Sequence, residues 1–172
     1  MTKPKSANSF HHRFRSEEAC VAFLEQVRWN GEPVCPRCGC LRVYRITTRK
    51  NYSCSGCRRT FTVRYGTIFE DSKLPLQTWF TAVWLVTTAR AGISSIELGE
   101  KLGISQQAAW FVLHRIQYCA DYGSAQMKRV SPLTLDMTFD EFMAKAVLVP
   151  SPAAAKRTPL ASPPGPGVAW GS

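Results

Sequence analysis

A chain of 172 residues with 45% apolar content and a formal charge of +10 holds one ordinary domain or two small ones around a modest core. Its longest apolar stretch, around Trp79 to Val86, is interrupted by Thr81 and is far short of the roughly 20 residues a bilayer span requires, so no membrane partner is expected. Residues 1–12 are polar and lack the apolar centre of a secretory leader, which makes a reducing compartment the expectation for the seven cysteines.

Residues 1–13 read as disordered. Ser16 then stands as an N-cap before Glu17 and Glu18, and Ala19, Phe23, Leu24 and Val27 recur at helical spacing up to Trp29, with Asn30 and Gly31 as the stop. Together with the segment that follows, this helix forms a first unit over residues 14–74.

Cys35, Cys38, Cys54 and Cys57 follow as Cys-x2-Cys-x15-Cys-x2-Cys. Two residues between thiols let a tight turn aim both sulfurs at one point, and two such knuckles complete a tetrahedral thiolate cage for one structural Zn2+. Gly39 and Gly56 lie in or beside the knuckles, where a turn often takes positive φ. Alternation of apolar and basic residues from Leu41 to Ile46, a polar turn at 48–51, and renewed alternation from Thr60 to Tyr65 predict an antiparallel ribbon. A disulfide scaffold or buried thiols is the competing reading of the same cysteines. Cys40 lies close enough to compete as a ligand, whereas Cys20 and Cys119 fall in helical patterns as small core residues. Nine basic residues between positions 28 and 64 face a single acid, Glu32. With Arg42, Arg45, Arg58 and Arg59 among them, such a surface suits polyphosphate; a solvated face with a chance bias of sign is the alternative.

The second unit spans 75–122. Pro75 opens a helix carrying Trp79, Phe80, Val83 and Trp84 that should reach about Ala91 and stop at Gly92. A short helix from Ser94 to Leu102, a turn at Gly103 and Ile104, and a longer helix capped by Ser105 and running to about Cys119 have the order of a helix-turn-helix. On the second of these helices Gln106 and Gln107 would face a major groove, where a Gln amide pairs bidentately with adenine, and His114 and Arg115 would reach phosphate. Trp79, Trp84 and Trp110 read as packing residues. An ordinary helical hairpin is the other reading.

The run from Phe14 to about Gln117, with Cys-Pro-Arg-Cys-Gly, Tyr-Ser-Cys-Ser-Gly-Cys-Arg-Arg-Thr-Phe and Gly-Ile-Ser-Gln-Gln-Ala-Ala-Trp, resembles the N-terminal part of bacterial insertion-sequence transposases that join a zinc ribbon to a DDE-type, RNase H-like catalytic domain. The resemblance implies a protein of the cytoplasm and nucleoid that binds the terminal inverted repeats of its element as double-stranded DNA, with a homodimer suiting the paired ends. In intact members three carboxylates hold Mg2+ for phosphodiester chemistry. This sequence departs from that pattern: around Asp140 and Glu141 it offers a distorted echo of the first catalytic strand, with Met143, Ala144 and Lys145 where glycines belong. No catalytic residue is therefore assigned, no strand cleavage is expected of this chain alone, and residues 123–172 read as a largely disordered remnant or out-of-frame tail. A transcriptional regulator, or a ribbon that contacts protein or RNA, remains an alternative function. The expected fold is small α+β: helix, zinc ribbon, three helices, disordered tail.

Overall fold

The computed structural model describes residues 7–46, 51–122 and 135–150. Six helices and a three-stranded antiparallel sheet follow one another as α1 (Ala7–Arg13), α2 (Glu17–Trp29), β1 (Val43–Ile46), β2 (Asn51–Cys54), β3 (Thr60–Phe61), α3 (Leu76–Thr88), α4 (Ser95–Leu102), α5 (Gln106–Asp121) and α6 (Phe139–Ala146). The class is α+β, and no helix among the described residues is long and apolar enough to cross a membrane.

Helix starts follow side-chain chemistry. Ser16, Ser94 and Ser105 each accept the N–H of the third helical residue, that of Ala19, Glu97 and Ala108, which satisfies one of the donors that a helix N-terminus leaves open. Pro75 has no side chain to cap α3, and Glu17 substitutes for one from a distance. Its carboxylate accepts from Leu76 N at 3.0 Å and Gln77 N at 3.2 Å while pairing with Arg64 at 2.9 Å. One acid thus holds the starts of α2 and α3 and the exit of the ribbon together. Helix α3 ends at Thr88 rather than near Ala91, because Ala89 turns extended at ψ 100.

The sheet has order β1-β2-β3, with Val43 opposite Cys54 and Tyr52 opposite Phe61. The alternating run from Thr60 to Tyr65 is a strand only over its first two residues. Beyond Phe61 the chain turns, with Tyr65 N donating to Thr62 O, and buries Val63 in the helical core rather than extending the sheet. Arg28 fixes that departure by donating to Val63 O at 2.6 Å.

Both stretches read as disordered contain helix. Residues 7–13 form α1, whose Phe10 is 1% exposed and stacks on Trp84 at 5.3 Å. Residues 135–150 supply α6, opened by a capping box of Thr138 and Glu141. Its apolar stripe of Phe139, Phe142, Met143 and Ala146 is buried, and Lys145 donates to Ala120 O at the end of α5. The remaining residues of those stretches, 1–6, 123–134 and 151–172, lie outside the described residues, as does most of the polar turn after β1. Asp140, the candidate echo of a catalytic carboxylate, sits in the first turn of α6 with Arg13 at 3.7 Å.

Phe139 closes an aromatic cluster, with ring centroids 5.1 Å from Phe10, 5.5 Å from Phe14 and 5.8 Å from Phe80. Removing a ring so enclosed leaves a cavity that neighbours fill only in part. Phe139→Ala is expected to lower stability by about 3–5 kcal/mol in urea denaturation, whereas a drop within about 0.5 kcal/mol would show that α6 does not stay docked.

Candidate metal centre and nucleic-acid interface

The first knuckle is closed by Cys35 N donating to Cys40 O at 3.0 Å and Gly39 N to Cys35 O at 2.9 Å; in the second, Cys54 N donates to Arg59 O at 3.0 Å. Gly39 takes the left-handed backbone at φ 69, as its position in a turn requires. In the second knuckle that conformation belongs to Arg58, at φ 56, and not to Gly56. Gly56 is there for space, since a Cβ on it would lie 3.2 Å from both Cβ and Sγ of Cys40.

These turns bring four thiols to one point. Sγ of Cys35 and Cys57 are 3.8 Å apart, those of Cys38 and Cys54 3.6 Å, and all four lie within 4.8 Å of one another. A tetrahedral Zn2+ with bonds of about 2.3 Å sets its sulfurs about 3.8 Å apart, so the donor set and its spacing fit that ion. Backbone N–H groups are already turned to the sulfurs: those of Cys57 and Arg59 hold the Cys54 and Cys57 thiols below the ordinary range, while burial pushes Cys35 up. Cys40 stands beside this cluster and outside it. Cys20 and Cys119 are buried in the helical core and pushed up to about 12, chiefly by loss of solvation, which makes them inert thiols.

Beneath the cage, Tyr52 and Phe61 stack at 5.6 Å and Trp29 meets Tyr52 edge-on at 5.0 Å. The Tyr52 hydroxyl donates to Glu25, joining ribbon to α2. Around this small core the basic residues divide. Arg28 and Arg64 are tied inward, to Val63 O and to Glu17 with the carbonyls of Ser72 and Leu74. Arg42, Arg58 and Arg59 are exposed, as is Arg45, which has Glu25 at 3.6 Å. Arg37, also exposed, lies over the Tyr65 ring at 4.6 Å.

Helices α4 and α5 are joined by a tight turn. Gly103 takes φ 65, and Gly99 allows close approach, because a Cβ there would lie 3.1 Å from Ile104 O and 3.7 Å from Ala109 Cβ. Ser105 is committed to capping. Gln106, Gln107 and His114 are exposed on α5. Two residues depart from expectation. Arg115 is 6% exposed, points inward, and donates to Ile68 O at 2.6 Å and Glu70 O at 2.5 Å, so it is an anchor and not a phosphate ligand. Burial pulls its pKa down, while Asp71 and Glu70 oppose the shift and balance its charge. Trp110, read as a packing residue, is 58% exposed and stacks on His114 at 5.2 Å. The signal for both was available in the sequence: Val112, Ile116 and Cys119 fix the buried side of the helix, Arg115 falls on that side, and Trp110 falls opposite.

Residues 15–60 match the family model of the transposase zinc-ribbon domain. Over 140 residues the chain is 31% identical to the "Uncharacterized protein in transposable element ISH50" of Halobacterium salinarum, an alignment covering 78% of this chain and 44% of that protein. The chain thus spans less than half the length of that curated relative. No solved structure matches it. The chain is thus similar to a transposase zinc ribbon over residues 15–60 and, over most of its length, to a protein of a transposable element, with the four-cysteine ribbon as the segment that carries the family resemblance.

Proposed function

We propose that this chain is the DNA-binding portion of an insertion-sequence transposase and recognises the terminal inverted repeats of its element. The observation that carries the reading is the match of residues 15–60 to a transposase zinc ribbon. In support of it, exposed arginines cover that ribbon and a Ser-capped helix presenting Gln106 and Gln107 follows in the same chain. Cys35, Cys38, Cys54 and Cys57 would hold one Zn2+, and four protein ligands leave no open position, so its contribution is to stability. Arg42, Arg45, Arg58 and Arg59 supply charge to the phosphates; Gln106 and Gln107 read bases; His114 lies at their side. The cytoplasm, on the nucleoid, is the proposed place of action, and paired element ends favour a homodimer on DNA.

Mg2+-dependent cutting and joining are what the resemblance implies for intact members of the family; the residues assigned here position DNA. The test is duplex binding by the zinc-loaded protein, comparing the inverted repeats that flank its gene with shuffled duplexes across a salt series. Preference for the repeats is the expected result, and equal affinity for both overturns the reading.

Replacing Arg42, Arg58 or Arg59 singly by Ala should reduce the salt slope of binding by about one unit in each case, while weakening affinity for all sequences alike. An unchanged slope in all three variants would remove the ribbon from the DNA interface.

A further inference from the structure

Helix α5 advances about 100° per residue, so Gln106, Trp110, His114 and Gln107 fall in that order across about 100° of its circumference. Ala109, Val112, Arg115, Ile116 and Cys119, all buried, occupy the other side. Trp110 therefore stands between the two glutamines. A groove wide enough to admit Gln106 and Gln107 must meet the indole as well. That indole is 58% exposed, and its stack on His114 at 5.2 Å and 29° restricts where the ring can swing. No acidic residue occurs in α5 before Asp121, and the chain as a whole carries +10, so nothing in this helix before Asp121 repels a polyanion that the chain attracts.

The major groove offers few apolar surfaces, and the principal one is the C5 methyl of thymine. We propose that Trp110 is a base-reading residue, its indole seated against thymine methyl groups beside the adenines that Gln106 and Gln107 pair with. The inference rests on the DNA-binding reading above and adds to it the chemistry of the site: a short run rich in A·T pairs, recognised in part by apolar contact. It also gives a role to an indole left 58% exposed beside a second exposed ring of the same helix, Phe111 at 37%.

The test uses the full zinc-loaded chain and the tightest-binding duplex recovered from a randomised pool, synthesised once with thymine and once with deoxyuridine. The replacement removes the methyl groups and leaves base pairing intact. Wild type is expected to bind the deoxyuridine duplex about fourfold more weakly for each methyl that the indole covers. Trp110→Ala should weaken binding to the thymine duplex by the same factor and show no difference between the two. Trp110→Gln, which keeps a solvent-compatible side chain at this exposed position, should behave as Trp110→Ala. Indifference of wild type to deoxyuridine, or persistence of its preference in both variants, overturns the inference while leaving the DNA-binding reading in place. Dissociation of a dimer into monomers by Trp110→Ala, without any thymine dependence, overturns it in favour of self-association. A pool that yields no preferred duplex overturns the DNA-binding reading and this inference with it.

Discussion

Removing the metal from the folded protein is expected to abolish the ribbon and leave most of the helical unit standing. The ribbon's own apolar cluster is small, with Cys35, Tyr52, Cys54 and Phe61 as its buried members. Two buried rings contribute only about 3–6 kcal/mol, set against the conformational entropy of ordering the ribbon. The sheet adds few bonds to that balance, since β3 pairs through only two residues. A structural zinc site supplies about 10–16 kcal/mol of apparent binding energy, several times what those rings contribute. The helical core, by contrast, is closed by Trp79, Phe80, Val83, Leu98, Val112, Ile116 and their neighbours without any metal. Chelation followed by hydrogen exchange should therefore strip protection from β1 and β2 while the amides of α3 and α5 stay protected. Protection of Tyr52 and Cys54 in metal-free protein would sink the idea. Cys57→Ser should lower bound zinc well below one equivalent, and Cys40→Ser should leave it unchanged, because Cys40 is outside the four-sulfur cluster.

The second large effect is expected at Arg115. Its guanidinium donates to two backbone carbonyls, those of Ile68 and Glu70, and lies 4.4 Å from the centre of the Phe111 ring. Truncation leaves two buried acceptors without a donor and opens a void between α5 and the segment after the ribbon. Arg115→Ala should cost about 2–5 kcal/mol in denaturant titration, and Arg115→Lys should recover only part of it, since an ammonium can donate to the carbonyls but lacks the planar guanidinium face that lies over the Phe111 ring. Below the unfolding transition, the salt slope of DNA binding should be that of wild type. A slope smaller by about one unit with stability unchanged would instead place this side chain on a phosphate.

What could be read from the sequence follows from how local each signal is. The metal site depends on the spacing of four thiols within 23 positions and was legible from the residues alone. The same holds for the helix starts at Ser16, Ser94 and Ser105, where cap and helix adjoin. The left-handed turn at Gly103 was equally local. Where the outcome depended on distant partners, the reading failed. Two turns of helix around Phe10 are too short to show a periodicity, and Trp84 and Phe139, far away in the chain, complete the place of its ring. Residues 135–150 did carry a signal, Thr138 three positions before Glu141 followed by Phe139, Phe142, Met143 and Ala146 at helical spacing, but the proline-rich composition beyond it drew the whole stretch into the disordered class. Residue type and helical angle point opposite ways at Arg115 and Trp110, and the structure follows the angle. Type alone sends the charged side chain outward and the aromatic one inward, whereas Val112 and Ile116 set the orientation of the helix.

The packing of Phe10 on Phe139 has a kinetic meaning. It joins segments near opposite ends of the described chain, so its formation requires closing one of the longest loops among the described residues. Local pairings such as α4 against α5 and β1 against β2 need only short loops and can form early, whereas the two outer helices must wait until both are available. Docking of α1 and α6 is then a late step in folding, and in the native protein these helices should be the first to detach, exchanging their amides through openings well below the global unfolding energy. When they detach, the apolar faces of α2 and α3 that they cover, including Phe23 and Phe80, become the surface from which aggregation starts.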